Sequence, residues 1–187
     1  MLQEFEFRLI FLAEEKKDFL IQRIQERIPS EEVSTIDNSL KKFVLAMPDM
    51  IIQIRRWMKD QAFPSHIKKL SSFLHTYIYH SSDFIPAERL GLFGYLDDAY
   101  LTGRIFIQAM NFIDHNALHF LPNMKNLATD IPKWVQTTRR ILPKETVKID
   151  QMLKEFFESR TNSFDRLIAH QKLVWIFESM KKGDTYG

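Results

Sequence analysis

Ile67-Lys-Lys-Leu-Ser-Ser-Phe-Leu-His-Thr-Tyr-Ile78 repeats apolar residues at three-and-four spacing: Ile67, Leu70, Phe73, Leu74, Tyr77 and Ile78 share one side of a helical projection. That period belongs to a helix with one buried face, not to a strand, whose side chains alternate between faces. Pro64-Ser65 opens the stripe, with Ser65 placed to cap the first-turn amides. Upstream, Met50, Ile51, Ile54, Trp57 and Met58 repeat the pattern behind Pro48-Asp49, where Asp49 reads as an N-cap. Leu40, Phe43, Val44 and Met47 mark an earlier helix, and Leu2, Phe5, Leu9, Leu12 and Phe19 a first one. Downstream stripes are Ile105, Phe106, Ala109, Phe112 and Ile113, then Ile131, Trp134, Val135, Thr138, Ile141 and Leu142. Ile149, Met152, Leu153, Phe156 and Phe157 follow, and Phe164, Leu167, Ile168, Val174, Trp175, Phe177 and Met180 form the last, capped by Ser163. Pro29, Pro48, Pro64, Pro86, Pro122 and Pro143 punctuate these stripes. No strand pattern, internal repeat or Gly/Ser linker interrupts them, and residues 114–130 are the least periodic connection. The spacing predicts an all-α single-domain bundle or array over residues 1–187, of about eight to ten helices.

Composition agrees with that class. A chain of 187 residues removes roughly 70% of its unfolded surface from water in one domain. With 45% apolar and 27% charged residues it reads as neither disordered nor membrane-spanning. Sixteen Phe and 8 Met against 5 Gly suit a helical core of large side chains. The absence of Cys excludes disulfides, thiolate metal sites and cysteine nucleophiles, and fits a reducing, cytoplasmic setting. A net charge of +2 is too small to argue for nucleic acid. Met1-Leu-Gln-Glu-Phe-Glu-Phe-Arg8 lacks the basic start of a secretory signal, and no run of about 18 uncharged apolar residues suggests a transmembrane helix.

One stretch breaks the helical pattern: Asp83-Phe-Ile-Pro-Ala-Glu-Arg-Leu-Gly-Leu-Phe-Gly-Tyr-Leu-Asp-Asp98. Pro86 forces Ile85 out of the helical region, so the preceding helix must stop near residues 80–83. Gly91 and Gly94 permit a left-handed residue or close backbone approach, and a new helix is expected near Tyr95. Asp97 and Asp98 then fall in its first turn, where the helix dipole favours carboxylates by about 0.3–1 kcal/mol each. Asp83 lies at the unfavourable end of its own helix and requires a partner, either first-turn amides of the next helix or Arg89. The stretch at 81–98 thus reads as a helical hairpin turn whose carboxylates tie helix ends together.

Within residues 40–107, Tyr77-Ile-Tyr-His-Ser-Ser-Asp83-Phe-Ile-Pro86 and Gly91-Leu-Phe-Gly94-Tyr-Leu-Asp97-Asp98 resemble the YkvA-like family, a domain of unknown function. The match is specific over the hairpin and loose around it. Ser81 replaces a proline that often precedes the first aspartate, and Ala87 replaces an acid that often follows the proline, with Glu88 one place later. The resemblance implies a small helical module, mostly bacterial, with no agreed activity; it does not cover the helices at 1–39 and 114–187, which are expected to pack on that core as parts of one domain.

A sharper chemical reading gathers Asp83, Asp97 and Asp98 around a divalent cation, for which oxygen-only ligands select Mg²⁺, Mn²⁺ or Ca²⁺. Against it, neighbouring Asp97 and Asp98 differ by about 100° around a helix, so usually only one faces a shared site. His115 and His119 share a helical spacing but lack a third zinc ligand and an adjacent Glu; His75 and His80 align poorly, and His66 and His170 stand alone. No phosphate-binding glycine loop, dinucleotide fingerprint or nucleophile elbow is present. Lys41-Lys42, Arg55-Arg56, Lys68-Lys69, Arg139-Arg140 and Lys181-Lys182 read as solvated outer faces. Their alternative is a basic surface, with Trp57 beside it, for nucleic acid or anionic lipid.

The leading expectation is a non-catalytic interaction module that presents the apolar turn around 84–95, with Leu90, Leu92, Phe93 and Tyr95, to a protein partner or its own copy. Catalytic residues and cofactors are not expected. The alternatives are a metal-dependent enzyme built on Asp83, Asp97 and Asp98, and a peripheral membrane protein that inserts the same turn.

Overall fold

The computed structural model describes residues 2–15, 17–59, 63, 65–78, 85, 90–111 and 124–158. Among them are eight α-helices, one 3-10 turn and no strand. In chain order α1 is Leu2–Glu15, α2 Lys17–Gln25, α3 Ser30–Leu45, α4 Met47–Met58 and α5 Ser65–Ile78. After the 3-10 turn Gly91–Tyr95 come α6 Leu96–Met110, α7 Met124–Ile141 and α8 Pro143–Glu158.

The core is organised around α6. Its residues from Leu96 to Gly103 are all buried, on every side of the helix, so neighbours must surround its first two turns. Leu96, Ala99, Tyr100, Leu101, Ile105, Phe106 and Ala109 are all inaccessible to water, and α3, α4, α5, α7 and α8 pack about them. Aromatic pairs mark these contacts: Trp57 of α4 meets Phe106 with ring centroids 4.9 Å apart, and Phe43 of α3 meets Trp134 of α7 at 5.7 Å. Phe73 of α5 stacks on Phe156 of α8 at 5.5 Å. Offset and tilted geometries of this sort add about 0.5–1.5 kcal/mol beyond area burial.

Helix α6 accepts such close neighbours at Gly103. A Cβ built there would lie 2.7 Å from Phe43 Cζ and 3.0 Å from Val135 Cγ2, so only glycine lets α3 and α7 approach together. That role is tertiary, and the residue offers no local signal for it.

Several elements depart from the sequence reading. Asp49 is not the N-cap of α4: the helix starts two residues earlier, Ala46 is its N-cap, and Asp49 lies exposed in the first turn. Pro48 sits within that turn, where a missing amide hydrogen costs nothing because first-turn amides lack helical partners anyway. Phe19 belongs to α2 rather than to the first helix and is exposed, while Leu20 and Ile24 supply the buried face of α2. Part of the connection at 114–130 is also helical, since α7 begins at Met124 and continues through Pro132. The stripe that calls for burial there, Leu127 with Ile131, Val135 and Thr138, starts before the proline. The stripes around Phe112–Ile113 and in residues 163–180 lie outside the described residues.

Candidate functional site

The bend leading into α6 forms as the glycines require. Gly91 has φ 57°, in the left-handed region that favours glycine, and the 3-10 turn it opens hands over to α6 with Tyr95 as N-cap. Asp97 and Asp98 therefore occupy the first turn of α6, and both are buried. Each sits at the positive end of the helix dipole. The Tyr77 hydroxyl, in the last turn of α5, donates to Asp97 Oδ2 at 3.3 Å. The Asp98 main-chain carbonyl accepts from Thr102 Oγ1 at 2.7 Å. Asp83, Pro86 and Arg89 lie outside the described residues, as do His80, His115, His119 and His170. Among the described residues no group of three His, Asp or Glu stands close enough to hold a metal ion.

The described part of the apolar turn is not presented to solvent. Leu90, Leu92, Phe93 and Tyr95 are buried, because α1 and α2 lie across them. Phe5 of α1 meets Tyr95 edge-on at 5.9 Å, and the Arg8 guanidinium stands over the same ring at 5.9 Å. Arg27 stands over Phe93 at 5.0 Å. Cation–π contacts of this kind add about 0.5–1 kcal/mol at exposed sites and more when dry. For residues 90–95 the expected docking surface is thus occupied by the chain's own first two helices. The apolar run reads the same from sequence whether it is covered from within or by a partner.

Sealing that turn leaves a different apolar surface outside. Helix α1 buries Leu9, Leu12 and Ala13, yet its opposite side carries Phe7 at 73%, Phe11 at 60% and Ile10 at 42% exposure. These three follow the 7, 10, 11 spacing of one outward stripe. Glu4 lies at one end of the stripe and Glu14 and Glu15 at the other. The spacing assigns Leu9 and Leu12 to the buried side, as observed, and leaves Phe7 and Phe11 off that stripe.

A polar cluster also escaped the sequence reading. Arg139 Nε donates to Tyr100 Oη at 2.6 Å, Tyr100 donates to Asp150 Oδ2 at 2.9 Å, and Arg139 Nη2 donates to the same oxygen at 2.7 Å. Arg104 Nη1 reaches Asp150 Oδ1 at 3.0 Å. The closed set joins α6, α7 and α8. Burial pushes the Tyr100 phenol above its ordinary value of 10.0, the Arg139 hydrogen bond opposes that, and the Asp150 carboxylate adds to it. A phenol held in its protonated form, with both its donor and acceptor capacity used, acts as a clamp.

Part of the basic pairs is placed in space, while Lys181-Lys182 lies outside the described residues. Arg139 is in the clamp, Arg140 pairs with Glu32 at 2.8 Å, and Lys41 donates to the Ala13 carbonyl at 3.0 Å. Trp57 is partly buried and packs against Phe106. Among the described residues no helix is long and apolar enough to cross a membrane. Comparison with protein-family models, curated proteins and solved structures finds no match for this chain.

Proposed function

We propose that this chain is a non-catalytic helical interaction module, and that its docking surface is the outer side of α1. The observation that carries this reading is the exposure of Phe7, Ile10 and Phe11 on a helix whose other side is already committed to the core. Aromatic anchors clustered on one stripe are the residues that dominate protein interfaces, and their exposure in a folded chain favours a covering partner. Glu4, Glu14 and Glu15 at the ends of the stripe select the occupant by charge. A second copy in antiparallel register would bring Glu4 near Glu14, which is repulsive. The partner is therefore another protein that offers an apolar groove with a basic rim.

Membership of the YkvA-like family over residues 40–107 and a cytoplasmic setting belong to the same proposal. The first rests on the residues of the 83–98 hairpin and the second on the lack of cysteine. The alternative of a Mg²⁺- or Mn²⁺-dependent enzyme rests on Asp83, which lies outside the described residues, together with Asp98 and Asp97, whose Oδ2 takes the Tyr77 hydroxyl.

The test compares the wild-type chain with Phe7→Lys/Phe11→Lys as bait, followed by identification and purification of whatever is captured. A purified partner that binds wild type and loses at least about 30-fold in affinity for the variant supports the proposal. A partner that binds both equally overturns it. So does a dimer in light scattering that the two substitutions dissolve, which assigns the face to a second copy.

A further inference from the structure

Helices α4 and α5 pack against each other, and their outer surfaces are one-sided in charge. Arg55, Arg56, Lys68 and Lys69 stand against a single acid, Asp49, at the far end of α4; α5 carries no acid at all. Between the helices lies an open depression of about 340 Å³ lined by Arg55, Ser71, Ser72, His75 and Thr76. Ile51, Ile54 and Leu74 lie beside it, and all three are buried.

We propose that this depression binds a phosphate-type oxyanion, either a free phosphate or the phosphomonoester of a lipid headgroup. Arg55 carries the argument. Arg104, Arg139 and Arg140 each have a carboxylate at 2.7–3.0 Å, whereas among the described residues no carboxylate is in ion-pair range of Arg55. Its side chain is half-buried in the wall of the depression and carries a planar fork suited to an oxyanion.

Opposite it, Ser71 and His75 are one helical turn apart, as are Ser72 and Thr76. Thr76 already donates its hydroxyl to the Ser72 carbonyl at 3.1 Å, so it shapes the wall without donating to a ligand. Arg55 of α4 and Ser71, Ser72 and His75 of α5 thus line one space from two helices. Carboxylate and phosphate both match the guanidinium fork in a bidentate manner, but only the tetrahedral phosphate keeps a third oxygen for the donors across the depression. No Phe, Tyr or Trp lines the depression, so base stacking lacks its usual platform there.

The experiment uses the full chain and two probes. Inorganic phosphate is titrated by calorimetry, and binding is measured to phosphatidylcholine vesicles with and without phosphatidic acid. Arg55→Gln is expected to weaken binding at least about tenfold. Arg55→Lys, which keeps the charge and loses the fork, falls between. Ser71→Ala/Ser72→Ala provides a second variant whose folding does not depend on the arginine. Saturable phosphate binding lost in Arg55→Gln assigns a free ligand; vesicle binding that needs phosphatidic acid and Arg55 assigns a headgroup. The proposal is overturned if neither probe binds at low salt. It is overturned equally if binding is indifferent to Arg55 and the serines, which would mean a diffuse basic face.

Discussion

The Tyr77 hydroxyl lies 3.3 Å from Asp97 Oδ2, so the last turn of α5 is tied to the first turn of α6 inside the core. A carboxylate buried at that depth is stable only where dipoles and donors replace its water. The amino end of α6 supplies the dipole and Tyr77 one of the donors.

Tyr77→Phe removes that donor while keeping the ring that packs near Phe73. It is expected to lower stability by about 1 kcal/mol. Urea unfolding checks this: the midpoint falls and the slope is unchanged. An unaltered midpoint would mean that the hydroxyl is not a working partner of Asp97.

Gly103→Ala tests the close crossing of α3, α6 and α7. In an ordinary helix interior the change is favourable by about 1 kcal/mol. Here the added carbon meets Phe43 Cζ at 2.7 Å, and overpacking of a filled core costs about 1–3 kcal/mol. The melting temperature is expected to fall. Combining it with Phe43→Leu, which withdraws the ring, should recover part of the loss rather than add to it. A rise in melting temperature for the single variant would contradict the packing.

Tyr100 predicts a pH dependence with a definite sign. Burial, opposed by Arg139 and reinforced by Asp150, keeps the folded phenol protonated to higher pH than the unfolded one. Its contribution to stability is therefore complete below about pH 10 and declines as pH rises through the folded value. In a phenolate absorbance titration, Tyr100→Phe should remove a late-titrating component. In the same variant the loss of stability above pH 10 should be shallower. If the spectrum loses an ordinary early-titrating tyrosine instead, the clamp is not formed in solution.

The all-α class was legible because stripes such as Leu70, Phe73, Leu74 and Tyr77 bury the residues their spacing assigns to one face. The bend was legible at Gly91, and the first-turn position of Asp97 and Asp98 followed from it. What failed had non-local causes. The exposed end of α4 was misjudged at Asp49 because a proline tolerated in a first turn looks like a proline that precedes a helix. The run containing Leu92 and Phe93 was assigned to a partner, whereas α1 and α2 cover it; hydrophobicity states that a surface is buried but not by what. Phe7 and Phe11 fall outside the Leu2, Phe5, Leu9 and Leu12 stripe, and spacing alone does not tell an outward aromatic from one that a further helix covers. The tie from Tyr100 to Arg139 and Asp150 spans three helices and leaves no mark on any one of them.

The division of α1 into a structural side and a docking side is tested most directly by denaturant unfolding of Leu9→Ala beside Phe7→Lys/Phe11→Lys. Leu9 is fully buried, and its truncation should cost about 2–5 kcal/mol. The outward pair should change stability by no more than about 0.5 kcal/mol, as surface substitutions do. A loss in the double lysine variant as large as that of Leu9→Ala would show that the chain itself covers Phe7 and Phe11, and no docking face would remain.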